Sequence, residues 1–363
     1  MRLRIATFNV NNLFRRARLF ESAAFTPEGK KVLVDIQRLQ ELMAKDVYTA
    51  ADKKAMVTIL DRYKIGDAGQ KKWFDVEEVR PDFFVKRKNP KRTEIVANGR
   101  ADWLGGIKLT MEDVDDRAID NTAGVIEAVK AHIMCIVEVE SRPTLVGFNE
   151  TSLAAEKYEH AMVIDGNDER GIDVGLLSRY PIASMTSHVD DTYQSQNGPQ
   201  KIFSRDCAEY IISLNAGKQV AVLCNHFKSK GYGSQASNDQ KRERQVQRVC
   251  EILAQKFDLT KDFVVVAGDL NDNPGPGPLQ KLLTLPNLHD VLASPKLGGP
   301  RWTYHDKKSS FDYLLVSTTL HNKLQAVGIE RSGFLFDVPG LKKADRERQR
   351  ASDHAAVWAE FDV

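Results

Sequence analysis

Cysteine is scarce. The chain has four in 363 residues, Cys135, Cys207, Cys224 and Cys250, and none sits at a C-x-x-C spacing. That excludes a thiolate zinc motif, a dithiol redox motif and the paired cysteines of a disulfide scaffold. Long apolar runs are missing too, so nothing matches the roughly 20 residues a membrane-spanning helix needs. So is an excess of one charge. Lys+Arg number 52 and Asp+Glu 50, for a formal net charge of +2, which excludes binding driven by a strongly basic tail but leaves room for a local basic groove. Met1-Arg2-Leu3-Arg4-Ile5 runs directly into a strand pattern. It lacks the charged, apolar and small-residue regions of a secretory signal, so the expected location is cytoplasmic. There is no short-period repeat, no low-complexity segment and no Ser or Cys nucleophile motif.

What is there is ordinary globular composition, 42% hydrophobic and 28% charged. This length allows one large domain or two ordinary ones, with enough core to dispense with disulfides. Leu3 to Val10 alternates and is partly β-branched, which predicts a strand. Residues 15–116 are too long for a plain loop. Val32 to Lys45 and Ala51 to Tyr63 have helical apolar spacing, so this block reads as a largely helical insertion within a single domain spanning 1–363. Trp73, Phe74, Phe83 and Phe84 would anchor it, or stack bases. Arg80 to Arg92 carries six basic residues against one acid, Asp82. Beyond it, helices are predicted over Arg117–Lys130, Thr144–Lys157 and Gln235–Phe257. Strands are predicted over His132–Val139, near 160–164, 173–177, 207–214 and 218–226, over Phe263–Ala267, and near 311–317 and 355–361. Cys135 and Cys224 lie in apolar strands and read as buried thiols. The order is not a strict βαβ alternation, which favours two packed sheets covered by helices.

Polar residues collect where the apolar strands end. Leu3–Phe8 runs into Asn9-Val10-Asn11-Asn12, and Ile133–Val137 into Glu138-Val139-Glu140. Val220–Cys224 runs into Asn225-His226-Phe227-Lys228, and Phe263–Ala267 into Gly268-Asp269-Leu270-Asn271-Asp272. Asp312 opens the strand after Phe311, and Ser352-Asp353-His354 precede the last strand. Singly, each has a plain structural explanation; Gly268 to Asn271, for example, has the composition of a turn. Together they give several carboxylates, two histidines and several amides on one sheet rim, where ligands bind. Carboxylate and amide oxygens suit Mg²⁺ or Mn²⁺ better than zinc. Such an ion activates water and neutralises phosphate charge. Asp312 and His354 are candidates for a carboxylate–imidazole pair.

These words, in this order, resemble the endonuclease/exonuclease/phosphatase superfamily, the group of DNase I, abasic-site endonucleases, sphingomyelinases and inositol-phosphate phosphatases. The matching segments are Ile5 to Asn11, Ile136 to Glu140, Asn225 to Lys230, Val266 to Asn271, Phe311 to Tyr313 and Ser352 to His354. The resemblance covers residues 1–14 and about 117–363 and leaves the insertion unmatched. It implies a four-layer α/β sandwich of two mixed β-sheets flanked by helices. It also implies Glu138 as the principal Mg²⁺ ligand, with Asn9 beside it and Asp353 near. Asp269 would orient or deprotonate water, Asn271 would donate to a phosphate oxygen, and His354, held by Asp312, would meet the phosphate alongside His226. Asn11, Asn225, Lys228 and Arg205 would contact substrate. Abasic-site enzymes usually have Lys two residues after the metal-binding Glu, whereas this chain has Glu140. Asn225 to Gly231 resembles instead the bacterial extracellular-nuclease-like branch.

The expected activity is hydrolysis of nucleic-acid phosphodiesters by a metal-dependent nuclease with no membrane partner. A phosphatase or a small-molecule or lipid phosphodiesterase is the alternative enzyme, and an inactive scaffold the alternative non-enzyme. Lys230, Lys241, Arg242, Arg244 and Arg248 follow the His226 motif, and Lys342, Lys343, Arg346, Arg348 and Arg350 precede Asp353, which suits a polyanion. The insertion is expected to shape access to the rim.

Overall fold

The structure is a computed structural model that describes residues 1–13, 19, 26–67, 71–80, 83–88, 90–110, 116–153, 156–231 and 233–363. Asp82 therefore lies outside the described residues. The chain divides into two compact units, Met1–Phe14 with Val114–Val363, and Arg15–Asp113.

In chain order, β1 (Arg2–Leu13) opens the first unit. The second unit contributes α1 (Pro27–Met43), α2 (Ala50–Arg62), β2 (Phe74–Arg80), β3 (Phe84–Lys88), β4 (Lys91–Ile95) and β5 (Leu104–Leu109). The first unit resumes with α3 (Asp116–Val129), β6 (Ile133–Val139), α4 (Arg142–Thr151), β7 (His160–Ile164), β8 (Asp173–Ser178) and β9 (Ile182–Thr186). A small ribbon follows, β10 (Thr192–Ser195) and β11 (Gly198–Lys201). Then come β12 (Cys207–Ser213), β13 (Gln219–His226), α5 (Gln235–Lys256), β14 (Phe263–Asp269), α6 (Gln280–Leu283) and β15 (Leu288–Asp290). The chain finishes with β16 (Asp312–Ser317), α7 (Thr318–His321), β17 (Leu324–Glu330), α8 (Lys343–Gln349) and β18 (Ala356–Asp362).

Two six-stranded sheets form the first unit, in the orders β17-β18-β1-β6-β8-β7 and β15-β16-β14-β13-β12-β9. Each has one parallel pair at its centre, β1 with β6 and β13 with β14, and antiparallel neighbours outside it. Strand alternation explains the layering. Leu3, Ile5, Ile133, Cys135 and Val137 of one sheet meet Val220, Val222, Cys224, Val265, Ala267, Leu314 and Val316 of the other in one buried cluster. The opposite faces pack on helices. Phe8, Met134 and Ile136 lie with α3 and α4, and Leu223, Val264 and Val266 lie with α5 and α6. This helix–sheet–sheet–helix order is the four-layer mixed sandwich expected from the sequence. The four cysteines are buried and unpaired.

Several expectations shift. The helix expected to reach Lys157 ends at Thr151; Leu153, just beyond it, is wholly buried. Strand β17 has no counterpart among the predicted strands. In the second unit, the two helices are joined by two antiparallel pairs, β2 with β5 and β3 with β4. Helix α2 begins at a reciprocal cap, in which the Asp52 amide donates to Thr49 Oγ1 and the Thr49 amide donates to the Asp52 carboxylate, satisfying donors that the first turn leaves open. Trp73, Phe74 and Phe83 are buried in this unit's own core, where Phe83 stacks on Trp103 at 4.3 Å. They are core anchors, and the base-stacking reading does not hold for them.

Candidate active site

The alternation that builds the inter-sheet core also selects the site. Stepping two residues at a time from Leu3 and Ile5 leads to Thr7 and Asn9; from Val265 and Ala267 to Asp269; from Val222 and Cys224 to His226; and from Val316 and Leu314 to Asp312. Each polar residue continues the inward face of its strand at the end where apolar residues stop. Register then aligns them. His226 pairs with Asp269, and Asp269 with Asp312, across three neighbouring strands.

Alternation alone would send Glu138 outward with Met134 and Ile136. The ladder shifts register between Val137 and Val139, and Glu138 has φ 66°. A bulge with a left-handed residue re-aims the side chain. Glu138 Oε1 comes to lie 3.8 Å from His226 Nε2 of the other sheet. Gly268 is equally constrained. Its φ is 134°, and a Cβ there would lie 1.9 Å from the Asn225 carbonyl oxygen. Gly268 and Asp269 are strand residues; the turn begins only at Leu270 and Asn271, where φ is 54°.

Asp269 is the best-anchored group. Its Oδ1 accepts from the Asn271 amide at 2.9 Å; its Oδ2 accepts from Asn9 Nδ2 at 3.1 Å and from Asn271 Nδ2 at 3.2 Å. Asn271 Nδ2 also donates to the Phe227 carbonyl at 3.2 Å. Both amide protons of Asn271 are thus committed, to Asp269 and to the Phe227 carbonyl. His354 Nδ1 is 2.9 Å from Asp312 Oδ2, and its Nε2 is 3.8 Å from Asp269 Oδ2. Ser352 fixes the segment by donating to the Asn9 carbonyl at 2.7 Å and accepting from the His354 amide at 2.9 Å.

The two histidines carry opposite electrostatics. Burial pushes His226 well below the usual imidazole range, with Arg205 and His354 adding to the effect. Burial also opposes charge on His354, but Asp312 and Asp269 outweigh it and hold His354 well above that range. The two imidazoles are thus pushed in opposite directions. Burial raises the Glu138 carboxyl, as does Asp353, against the pull of His354, Asn9 and Arg205. Burial also takes Asp269 up to about 7, with His354 pulling against it.

A cleft of about 330 Å³ is lined by Glu138, His226, Asp269, Asn271, Asp353 and His354, with Asn11, Arg170, Arg205, Lys230, Tyr304 and Phe311 among its walls. Asn225 and Lys228 are placed differently from expectation. Asn225 lies on the helix-facing side of β13, is wholly buried and donates to the Leu223 carbonyl; alternation turns it away when it turns His226 in. Lys228 Nζ donates to the Gly231 carbonyl at 2.8 Å, folded onto its own loop. Arg205 lines the cleft and is held 3.0 Å from Asp168. Among the described residues, Asp269, Asp312 and His354 form a cluster of potential metal ligands. His354 Nδ1 is already engaged with Asp312, and both Asp269 oxygens accept hydrogen bonds, so this trio fits a hydrogen-bonded relay.

Sequence reasoning missed Arg170 and a buried polar stripe on α5, whose Arg242, expected among the cations that suit a polyanion, is wholly buried. Asn238 Nδ2 donates to the Lys230 carbonyl at 3.1 Å, Arg242 Nη1 to the Lys228 carbonyl at 2.8 Å, and Gln245 Oε1 accepts from the Lys228 amide at 2.9 Å. Arg242 Nε is also 3.5 Å from Asp272, which pairs with Lys230 at 2.6 Å. The signal was present: stepping back from buried Leu253 and Val249 at helical spacing lands on Gln245, Arg242 and Asn238.

Residues 113–354, more than half of the chain, match the Endonuclease/Exonuclease/phosphatase family. A phospholipase C of Staphylococcus aureus is 29% identical over 120 residues, which are 33% of this chain and 35% of that protein, so the match spans about a third of its length. An endonuclease/exonuclease/phosphatase from Beutenbergia cavernae has 18% identity and a TM-score of 0.49 over 68% of this chain and 66% of that one. A truncated Caenorhabditis elegans TDP2 has 18% identity and a TM-score of 0.45 over 68% and 90%. No described helix is long and apolar enough to cross a membrane. The chain belongs to the endonuclease/exonuclease/phosphatase family, whose members are phosphoric ester hydrolases and generally use a divalent metal.

Proposed function

We propose that the cleft hydrolyses phosphodiesters with the help of Mg²⁺ or Mn²⁺, and that its substrate is nucleic acid. The observation that carries this reading is the convergence of Glu138, Asp269, His226 and His354, from both sheets, on one cleft. Glu138 with Asn9, and Asp353 nearby, would hold the ion. The fit rests on Glu138, a half-buried carboxylate in the cleft wall that is turned toward the other sheet, with Oε1 3.8 Å from His226 Nε2. A hard oxygen set of carboxylates and an amide suits a hard cation. When bound, such an ion supplies a more acidic water and charge stabilisation on phosphorus.

The chain's own groups do the rest. Asp269, fixed by three hydrogen bonds, orients the attacking water and takes its proton at a carboxylate oxygen. Asn9 and Asn271 hold that carboxylate in place. His354 presents Nε2–H to a phosphoryl or leaving-group oxygen, and Asp312 fixes the ring. His226 Nε2, 3.7 Å from Asp269 Oδ2, offers a further hydrogen-bonding group on the same side. Arg170, Arg205 and Lys230 in the cleft wall suit the phosphates flanking the reacting one.

A lipid phosphodiesterase is the second reading, favoured by the likeness to a phospholipase C. Against it, the large exposed hydrophobics of this unit among the described residues are Met1, Met185 and Val338, scattered rather than gathered into a lipid-facing patch. The test is a panel of duplex DNA, RNA, a phospholipid and a phosphomonoester, each with Mg²⁺. Cleavage of nucleic acid supports the proposal. Hydrolysis of the phospholipid alone overturns the substrate, and turnover of none overturns the enzyme.

A further inference from the structure

The hairpin β3–β4 pairs Phe84 with Ile95, Lys86 with Thr93, Arg87 with Arg92 and Lys88 with Lys91. Its two strands carry five cations, Lys86, Arg87, Lys88, Lys91 and Arg92, against one carboxylate, Glu94. Ile95 and Thr93 are buried and seat the base of the ribbon, whereas Arg87, Lys88, Lys91 and Arg92 are exposed.

The two rungs nearest the tip are both like-charged. Cations placed directly across an antiparallel pair cost stability. At the Arg87–Arg92 rung, Glu94 compensates in part, lying 3.0 Å from Arg87 Nε and 3.3 Å from Arg92 Nη2. One carboxylate between two guanidinium groups leaves a net positive charge. At the Lys88–Lys91 rung, neither ammonium has an ion-pair partner among the described residues. Lys86 differs. It is half-buried and held by Asp61 at 3.1 Å and Asp67 at 3.4 Å, so it serves the fold.

We propose that this ribbon is a duplex-DNA-binding element, a reading that rests on nucleic acid being the substrate of the cleft. Two repelling rungs at an exposed tip are mildly unfavourable for an isolated protein and become favourable against a row of phosphates. A two-stranded ribbon also matches the width of the B-form major groove. A membrane-docking hairpin would offer apolar or aromatic residues at its tip; here the described tip residues are Lys88, Pro90 and Lys91.

The experiment measures binding of the full chain to a 30-base-pair DNA duplex in EDTA, over a series of salt concentrations. Wild type is compared with the variant Arg87→Ala, Lys88→Ala, Lys91→Ala, Arg92→Ala, and with Lys88→Arg, Lys91→Arg. The expected result is at least tenfold weaker binding by the alanine variant at low salt. Its slope of log affinity against log salt should shrink by about 0.9 for each phosphate that is no longer neutralised, while the arginine variant behaves as wild type. Unchanged hydrolysis of a small aryl phosphodiester by the alanine variant shows that the cleft is intact. Unaltered affinity and slope overturn the proposal, and so does a loss of binding to anionic phospholipid vesicles but not to DNA. Failure of the nuclease reading shows separately, as DNA that is bound and not cut when Mg²⁺ replaces EDTA.

Discussion

In the unit that carries the cleft, Asp269, Asp312, His226 and His354 are buried and hold one another through hydrogen bonds and close approaches between 2.9 and 3.8 Å. In the 15–113 unit, Arg87, Lys88, Lys91 and Arg92 stand in water, and two of them lack a counter-ion among the described residues. Buried charges work through fixed position and low dielectric, so each is coupled to its neighbours. Exposed charges work through number, and each is separable. Substitutions in the first group should damage chemistry and folding together or trade one for the other. Those in the second should change only what the surface attracts.

The sharpest contrast should come at Asp269. Its carboxylate accepts from three donors, and an amide in its place would face at least one of them with its own NH₂. Asp269→Asn is expected to lose at least about 10²–10³ in kcat. It should also lose about 1–3 kcal/mol of stability from the unsatisfied buried donor, read by urea denaturation. Normal stability with lost turnover would show that the donors can turn away.

Next is Arg242→Met, a change remote from any reacting atom. The guanidinium holds the Lys228 carbonyl and faces Asp272, so the variant should lose about 2 kcal/mol. If the stripe positions the 228–231 loop, KM should rise more than kcat falls, because Lys230 lines the cleft. An unchanged KM would leave Arg242 a purely structural residue.

Asp173 offers an effect with a definite sign. Burial raises its carboxyl to about 7, reinforced by Asp165, Asp168 and Asp206 and opposed by the Gly166 amide. The folded state therefore keeps a proton that the unfolded chain releases near pH 4. Between about pH 4 and pH 7 the native state binds more protons, so stability falls as pH rises, by at most about 1.4 kcal/mol per pH unit, and then levels off above about 7. Asp173→Asn can still accept from the Gly166 amide. It should raise Tm at pH 8 and leave it unchanged at pH 4; an equal shift at both would remove the titration from the account. The smallest effect belongs to the other unit. Lys88→Ala with Lys91→Ala removes a like-charged rung and should move stability by no more than about 0.5 kcal/mol, and a larger loss would mean that the ribbon tip is packed.

The rim of the site was legible because it is written as strand continuation. An apolar run whose inward positions end in Asn9, His226 or Asp269 announces both the strand and its business end. The same parity argument, carried one residue further, would have turned Asn225 away. What could not be read depends on backbone departures from regularity. The left-handed Glu138 follows from a register shift between two strands, and no local composition marks it. The ribbons of the second unit were hidden for another reason. Strands β2 to β4 are short, half-exposed and rich in Glu, Lys and Arg, so the alternation that reveals a half-buried strand is masked by charge. On α5, the buried stripe changes from apolar to polar at Gln245, where hydrophobic periodicity stops reporting burial.

Everything proposed for the cleft depends on Glu138 anchoring a metal-dependent hydrolytic site. The most direct measurement is turnover of a phosphodiester by exhaustively metal-stripped protein, with and without restored Mg²⁺, for wild type beside Glu138→Gln. Stripped wild type should be inactive and recover with Mg²⁺. The variant should stay at least about 10²-fold down at every Mg²⁺ concentration while melting close to stripped wild type, because glutamine keeps the shape of a half-buried side chain. Full turnover without metal, or a variant rescued to wild-type rate, would contradict the account.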